Sequence, residues 1–361
     1  MPLSKIQGID GQVTPNLGRR NMIINGAMSV AQRGTSGSNG AATSTLGYLS
    51  LDRMGYWADT SSTFTMSQET DAPAGFTNSL KVNIDATRSG AGIYYSVGQR
   101  IEANACSQLD LGESTAKTFT TSFYVKSSVT GNFNIFFFNS GYNTCYTTTY
   151  TINAANTWEY KTVTIPGPTV GTWATGTGYG LEVGFKLGHG TNWQATNPNQ
   201  WQTAENFRIG SAGTVNLTDT LNATWQITGL QLEVGSTATD FEHRSYAEEL
   251  RACKRYYEEY NNDNSYYFAQ GAYTSSTTSL YQMSWEVEKR ATPSVTISAG
   301  STFILTRPGT SNAAGGTMAS GNRSRKNMYI QSSSNPSSST TGRGTSIATY
   351  TNSYVKIDSE L

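Results

Sequence analysis

The chain has 361 residues, more than one hydrophobic core usually organises, so two or three domains are expected. Charged residues make up only 14% of it, against about a quarter in ordinary soluble chains, and 25 basic residues balance 25 acidic ones, which argues against nucleic acid as the main ligand. No apolar run reaches the length of a membrane span, and Met1-Pro2-Leu3-Ser4-Lys5-Ile6 lacks the apolar stretch of a secretory signal. Neither membrane insertion nor secretion is therefore expected, and the chain is expected to be made in a cytoplasm and to leave it only by lysis.

Along the chain, residues 1–20 read as a short polar arm broken by Gly8, Gly11, Pro15 and Gly18, suited to docking on a partner. Met22, Ile23 and Ile24 form a brief apolar run, Asn25-Gly26 signals a turn, and a glycine-rich loop is expected from Gly34 to Gly47. Short strands then follow one another: Ser79–Ile84, Gly92–Val97, Thr118–Ser127, Phe133–Phe138, Trp158–Ile165, Tyr179–Leu187 and Thr224–Glu233. Leu80, Val82 and Ile84 share one face. So do Trp225 and Ile227, and after Gly229 so do Leu230, Leu232 and Val234. With 21 Tyr and a polar load carried by Ser, Thr, Asn, Gln and Gly, this pattern predicts an all-β jelly-roll sandwich over 21–243.

Ser245-Tyr246-Ala247-Glu248 is a capping-box sequence, and Leu250, Cys253, Tyr257 and Tyr260 recur at helical spacing. The reading is one connecting α-helix of about four turns within 244–262, stopped by the polar run 261–264. A small C-terminal β domain is expected over 263–361, with strands at Tyr266–Tyr273, Ser279–Val287, after Pro293, at Thr302–Leu305, Asn327–Gln331 and Ser346–Tyr350, and in the closing residues from Tyr354. A domain this small with such long polar loops buries little core alone, so self-association is the natural remedy.

Chemistry-bearing clusters are sparse. Cys106, Cys145 and Cys253 are odd in number and widely spaced, which fits neither a disulfide framework nor a zinc site; each reads as a small buried apolar residue. His189 is expected in a solvent-exposed loop and His243 in a packing or capping role. No nucleophile elbow is present, and Gly176-Thr177-Gly178 lacks the Lys and helix of a phosphate loop. Asp52, Glu182 and Glu205 are carboxylates that sequence alone cannot pair for glycoside hydrolysis, so no enzymatic activity is expected. Trp173, Tyr179, Trp193 and Trp201 lie in one polar stretch with Asn192, Gln194, Asn197, Asn199 and Gln200. Aromatic plates beside amides suit pyranose rings, and they suit equally well packing under loops or at a subunit contact.

Three segments resemble bacteriophage tail-fibre and related virion-fibre proteins: RRNMIINGAMSVAQRGTS (Arg19–Ser36) with YLSLDRMGYW (Tyr48–Trp57); WQITGLQLEVGSTATDFEHRSYAEELRACKRYYEEY (Trp225–Tyr260); and KRATPSVTIS (Lys289–Ser298) with YVKIDSEL (Tyr354–Leu361). The resemblance implies a carbohydrate-binding-module-like jelly roll, a closing helix and a distal β domain in a homotrimer on the phage particle. It implies that the arm, residues 1–20, docks on another virion protein and that the chain contacts a host surface glycan or lipopolysaccharide. It implies no catalytic cofactor. A structural calcium ion is admitted by the analogy, with Asp52 and Asp240 as the carboxylates flanking the motifs. The basic cluster Arg323, Arg325 and Lys326 would meet anionic lipopolysaccharide at the tip, or form a solvated loop. No long coiled-coil or β-helical shaft is present, which implies a short fibre, and the arm does not match the larger anchor domains of long fibres, which leaves tail, baseplate and capsid open as the attachment point; a capsid decoration or head-fibre protein is the alternative. A polysaccharide depolymerase is the third reading.

Overall fold

The computed structural model describes residues 19–39, 43–59, 63–203, 209–261, 267–306, 313–333, 340–349 and 352–361. The arm up to residue 18, Glu205 and the polar run 262–264 lie outside the described residues.

The first part of the chain carries β1 (Ser36–Asn39), β2 (Thr43–Gly47), β3 (Gly55–Ala58), β4 (Phe64–Glu69), β5 (Ser79–Ile84), β6 (Tyr94–Glu102), a four-residue α1 (Ala103–Cys106), β7 (Phe119–Ser127), β8 (Gly131–Phe138), β9 (Thr144–Ile152), β10 (Glu159–Ile165), β11 (Tyr179–His189), β12 (Gln202–Thr203) and β13 (Thr224–Val234). Two antiparallel sheets result, a six-stranded one in the order β1-β4-β5-β13-β7-β10 and a seven-stranded one in the order β12-β9-β8-β11-β6-β3-β2. They face each other as a jelly-roll sandwich. Alternation places Leu80, Val82, Ile84, Trp225 and Ile227 of one sheet against Phe133, Ile135, Phe137, Leu181, Val183, Phe185 and Leu187 of the other, in one core. The expected glycine-rich loop 34–47 contains β1 and β2, edge strands whose small residues carry no apolar signal. Val234, expected to share a face with Leu230 and Leu232, is exposed. A register shift beside Gly229, which takes φ 63°, divides β13.

The helix begins where its capping box predicts: α2 (Tyr246–Lys254) has the Ser245 side chain accepting from the Glu248 backbone and the Glu248 side chain accepting from the Ser245 backbone. It is shorter than four turns. Arg251 and Lys254 complete its last turn, and Tyr257 and Tyr260 instead sit in β14 (Tyr257–Asn261). The expected connecting helix of 244–262 thus divides into a short helix and a strand. Tyr favours extended backbone, and pairing to a partner strand outweighs the helical spacing.

Beyond it lie β15 (Tyr267–Tyr273), β16 (Ser279–Ser284), β17 (Ser294–Ile297), β18 (Phe303–Leu305), β19 (Ala313–Ala314), β20 (Thr317–Gly321), β21 (Asn327–Ser333), β22 (Gly344–Thr349) and β23 (Tyr354–Asp358). They form a three-stranded sheet, β14-β23-β17, and a seven-stranded sheet, β19-β18-β22-β15-β16-β21-β20. Tyr281, Met283, Trp285, Phe303, Leu305, Met328, Ile330, Ile347, Val355 and Ile357 make the second core.

The segments that carry the resemblance meet at the junction of the two β units. Asn25, in the left-handed region at φ 63°, donates through Nδ2 to the carbonyls of Val30 and Asp52, both at 2.9 Å, and accepts from the Val30 backbone at 2.9 Å. Its backbone N–H donates to Glu249 of α2 at 2.6 Å. Gln32 donates to the Tyr257 carbonyl at 2.8 Å and to the Asp52 carboxylate. The Arg33 guanidinium lies 3.5 Å from the Tyr257 ring centre, and that of Arg53 lies 3.7 Å from the Tyr256 ring centre. Both arginines pair with Glu360. Arg255 holds Glu102 with two bonds, of 2.7 and 2.9 Å. Arg290 donates to the carbonyls of Ser359 and Glu360 at 2.8 Å each. Buried charges at this density persist only because a counter-charge or backbone carbonyls meet each of them, and such pairing fixes geometry more than it adds stability.

Candidate functional site

The seven-stranded sheet of the sandwich has an outer face that is also buried. On β11 the residues between the core positions are Glu182, Gly184, Lys186 and Gly188, and on β8 they are Asn134, Phe136 and Phe138. The register aligns them in rows. Trp57, Ser96, Lys186 and Asn134 stand side by side across β3, β6, β11 and β8. The next row is Gly55, Gly98, Gly184 and Phe136, and beyond it come Arg100, Glu182 and Phe138. Glycine at one level of three adjacent strands takes side chains out of the middle of the face, and the Phe136 ring lies directly over Gly184.

The result is a cavity of about 220 Å³. Trp57, Tyr94 and Trp193 provide aromatic walls; Phe136, Phe138 and Ile209 add apolar surface; Ser96, Glu182 and Lys186 are its polar members. Trp193 and Ile209 come from connections that cross the sheet and are tied down. Trp193 donates from its indole N–H to the Gly92 carbonyl at 2.9 Å, and its own carbonyl accepts from Gly210 at 2.9 Å. Asn134 donates to the Thr214 hydroxyl at 2.8 Å, and His189 Nε2 bonds the same hydroxyl at 2.9 Å. His189 is therefore buried and anchors this connection, contrary to the exposed position expected for it. Its burial, with Lys186 nearby, lowers its pKa.

Two of the polar members are charged groups with little access to water. Glu182 receives Arg100 Nε at 3.3 Å and the Tyr179 hydroxyl at 2.9 Å, both on Oε2. Burial still pushes its carboxyl up to about 7. Lys186 is 2% exposed. Burial brings its ammonium down to about 7, with Asp59 and Glu182 opposing the shift. The Tyr94 ring centre lies 5.3 Å from Nζ.

The four aromatics expected to bind glycan divide into two groups. Trp193 lines the cavity and Tyr179 buttresses it through Glu182. Trp173 and Trp201 lie edge-to-face at 5.7 Å, donate to the carbonyls of Val170 and Pro166, and pack against the main core. Trp57, Tyr94, Phe136, Phe138 and Lys186 complete the cavity without having been singled out by composition. The only signal for them is register, which needs the strand pairing first.

The remaining candidates are placed apart from the cavity. Asp52 is buried, bonded by Gln32 and 3.8 Å from Arg33. Asp240 is exposed and contributes its carbonyl to Arg20 and Gln231. Among the described residues no group of three or more His, Cys, Asp or Glu could hold a metal ion, and Asp52 is committed to protein donors. Arg323 is exposed in the turn between β20 and β21. Arg325 pairs with Glu288 at 2.8 Å and donates to the Lys289 carbonyl at 3.0 Å, and Lys326 is 3.9 Å from Glu288. Lys289 itself binds the carbonyl of Lys254, so Arg325 and Lys326 stand beside the junction helix. His243 packs on Phe76 and Phe241, and all three cysteines are buried and form no disulfide.

No protein-family model and no curated protein matches the chain. Among solved structures it is similar to the enzymatically active domain of tailspike protein 4 of bacteriophage CBA120, at 13% identity and TM-score 0.30, over 60% of this chain and 22% of that one. A family 30 carbohydrate-binding module matches at 11% identity and TM-score 0.31, over 63% and 95% of the two chains. A family 11 module from Clostridium thermocellum, in complex with a β-1,3-1,4-mixed-linked tetrasaccharide, matches at 10% identity and TM-score 0.26, over 58% and 99%. Likeness at this level gives no residue of this chain a role.

Proposed function

We propose that the chain is a structural fibre subunit of a bacteriophage particle that adheres to surface glycan of the host cell, and that the cavity on the outer face of the seven-stranded sheet is its glycan site. The observation that carries the binding half is the cavity itself: aromatic walls for the apolar face of a pyranose, charged and hydroxyl groups for its substituents, and connections that hold both in place before a ligand arrives. The order of the tail-fibre-like segments supports the virion half.

In this reading the chain binds and does not turn over. Glu182 is the one carboxylate among the described residues lining the cavity, whereas the usual hydrolysis of a glycosidic bond uses two. The subunit works as a homotrimer, so that weak contacts sum, and residues 1–20 dock on another virion protein. Half-exposed rings on the outer face of the six-stranded sheet, Phe76, Tyr124 and Tyr160, are surface suited to a subunit contact.

The test combines three readouts. Sedimentation equilibrium of the purified chain should give three times the monomer mass. Labelled antibody should decorate intact particles, at the tail for a tail fibre and on the head for a decoration protein. Purified chain should bind host envelope polysaccharide and release no reducing ends, with Trp193→Ala abolishing binding. Failure to bind any host glycan, or absence from particles, would sink the proposal; released reducing ends would replace it with the depolymerase reading.

A further inference from the structure

Lys186 is the unexplained group in this cavity. A lysine at 2% exposure normally has a carboxylate or carbonyls to bind. Its side-chain nitrogen makes no hydrogen bond or ion pair among the described residues, yet it lines the cavity beside Trp57, Ser96 and Tyr94. The neighbouring charges are already matched. Arg100 is bound to Glu182 at 3.3 Å and Arg88 to Asp59 at 3.2 Å. Asp59 and Glu182 act on Lys186 across space, but each is bonded to an arginine, which leaves Lys186 as a cation without a bonded carboxylate, in a chamber of about 220 Å³.

Resting on the glycan reading above, we infer that Lys186 selects a single sugar residue carrying an anionic substituent, a carboxylate or a phosphate, whose ring lies among Trp57, Tyr94 and Trp193. A charge-assisted bond to Nζ supplies the partner that the folded chain does not.

The groups facing Lys186 set the pH dependence: Glu182 on its own strand, Tyr94 and Arg100 on β6, Asp59 after β3, and His189 at the end of β11. Raising the pH from about 6 to about 8 neutralises the ammonium and ionises Glu182. Both changes weaken anion binding, so affinity for an acidic sugar falls across that range while affinity for a neutral one stays level.

The experiment uses the full chain and three matched probes: D-glucose, D-glucuronic acid and D-glucose 6-phosphate, titrated by NMR. At least one acidic probe should bind about tenfold more tightly than glucose, and whichever acid is preferred tells carboxylate from phosphate. Lys186→Met keeps the aliphatic length without the charge. It should lose that preference, binding the acidic probes no more tightly than glucose, and its melting temperature should not fall. Trp193→Ala should lose all three sugars. Equal affinities for the three probes in the wild-type chain, or a preference that survives in Lys186→Met, overturn the inference and leave sugar binding standing. No binding of any probe overturns both the inference and the glycan reading.

Discussion

Lys289 offers the sharpest test of how the junction is held. Its side chain is fully buried, at 0% exposure, and its ammonium lies 2.6 Å from Glu258, itself 3% exposed, and binds the Lys254 carbonyl at the end of α2. Lys289→Met removes the cation and leaves behind a buried carboxylate and a helix-end carbonyl without its donor. Orphaning one half of a buried pair costs about 3–5 kcal/mol. The Tyr260 hydroxyl still donates to Glu258 at 2.9 Å, which argues for the lower part of that range. The double variant Lys289→Met with Glu258→Gln keeps the Tyr260 bond and has no uncompensated charge. It should recover to within about 1 kcal/mol of the wild type. Urea unfolding, followed through the fluorotryptophan NMR resonance of Trp285, reads this region directly, because that ring lies 5.9 Å from the ammonium and no other tryptophan follows Trp225. A loss below about 1 kcal/mol in the single variant would refute the reasoning. So would a double variant as unstable as the single one.

Three further outcomes follow from the same structure. Burial holds Glu182 at about 7 against an ordinary 4.5, so the native state takes up the proton first and stability falls as pH rises between those values. Lys186 at about 7 against 10.5 gives the opposite limb, stability returning above neutrality. The melting temperature should therefore show a trough near neutral pH, with Glu182→Gln flattening the acid side and Lys186→Met the alkaline side; unchanged limbs in these variants would discount the burial argument. Gly184→Ala puts a Cβ into the Phe136 ring; it should cost about 1–3 kcal/mol in thermal unfolding and abolish sugar binding, and a wild-type melt would show that the ring can move aside. Ser245→Ala removes the α2 cap and should cost about 1 kcal/mol in urea unfolding, whereas an unchanged midpoint would mean that tertiary contacts alone hold the helix start.

The strands whose apolar residues alternate, such as β5 and β13, were legible from sequence because one face is dry and the other polar. β9 was not legible, although Tyr146, Tyr150 and Ile152 enter the core. Its polar threonines mask a strong extended preference. The helix start was readable from a local capping box, and its end was not, because β14 is set by pairing with β23 about a hundred residues away. The same limit governs the site. Tryptophans clustered in sequence parted in space, Trp193 to the cavity and Trp173 with Trp201 to the core. The row Gly55, Gly98 and Gly184 exists only once three strands are in register. The segments that carried the family likeness lie at the junction, where buried charge pairs leave few alternatives to each side chain.

The central position of β23 has a kinetic consequence. β14 and β17 each pair with β23 and not with each other, so neither finds its neighbour until that strand arrives. The ion pair from Arg33 to Glu360 spans 327 positions. Contacts this remote must absorb the entropy of closing a long loop before they return any energy, which places them late on the folding route. The sandwich can condense first around its own core. Docking of the two β units is therefore expected to follow condensation of the sandwich, and a chain caught before β23 arrives leaves the edges of β14 and β17 open to a neighbouring chain.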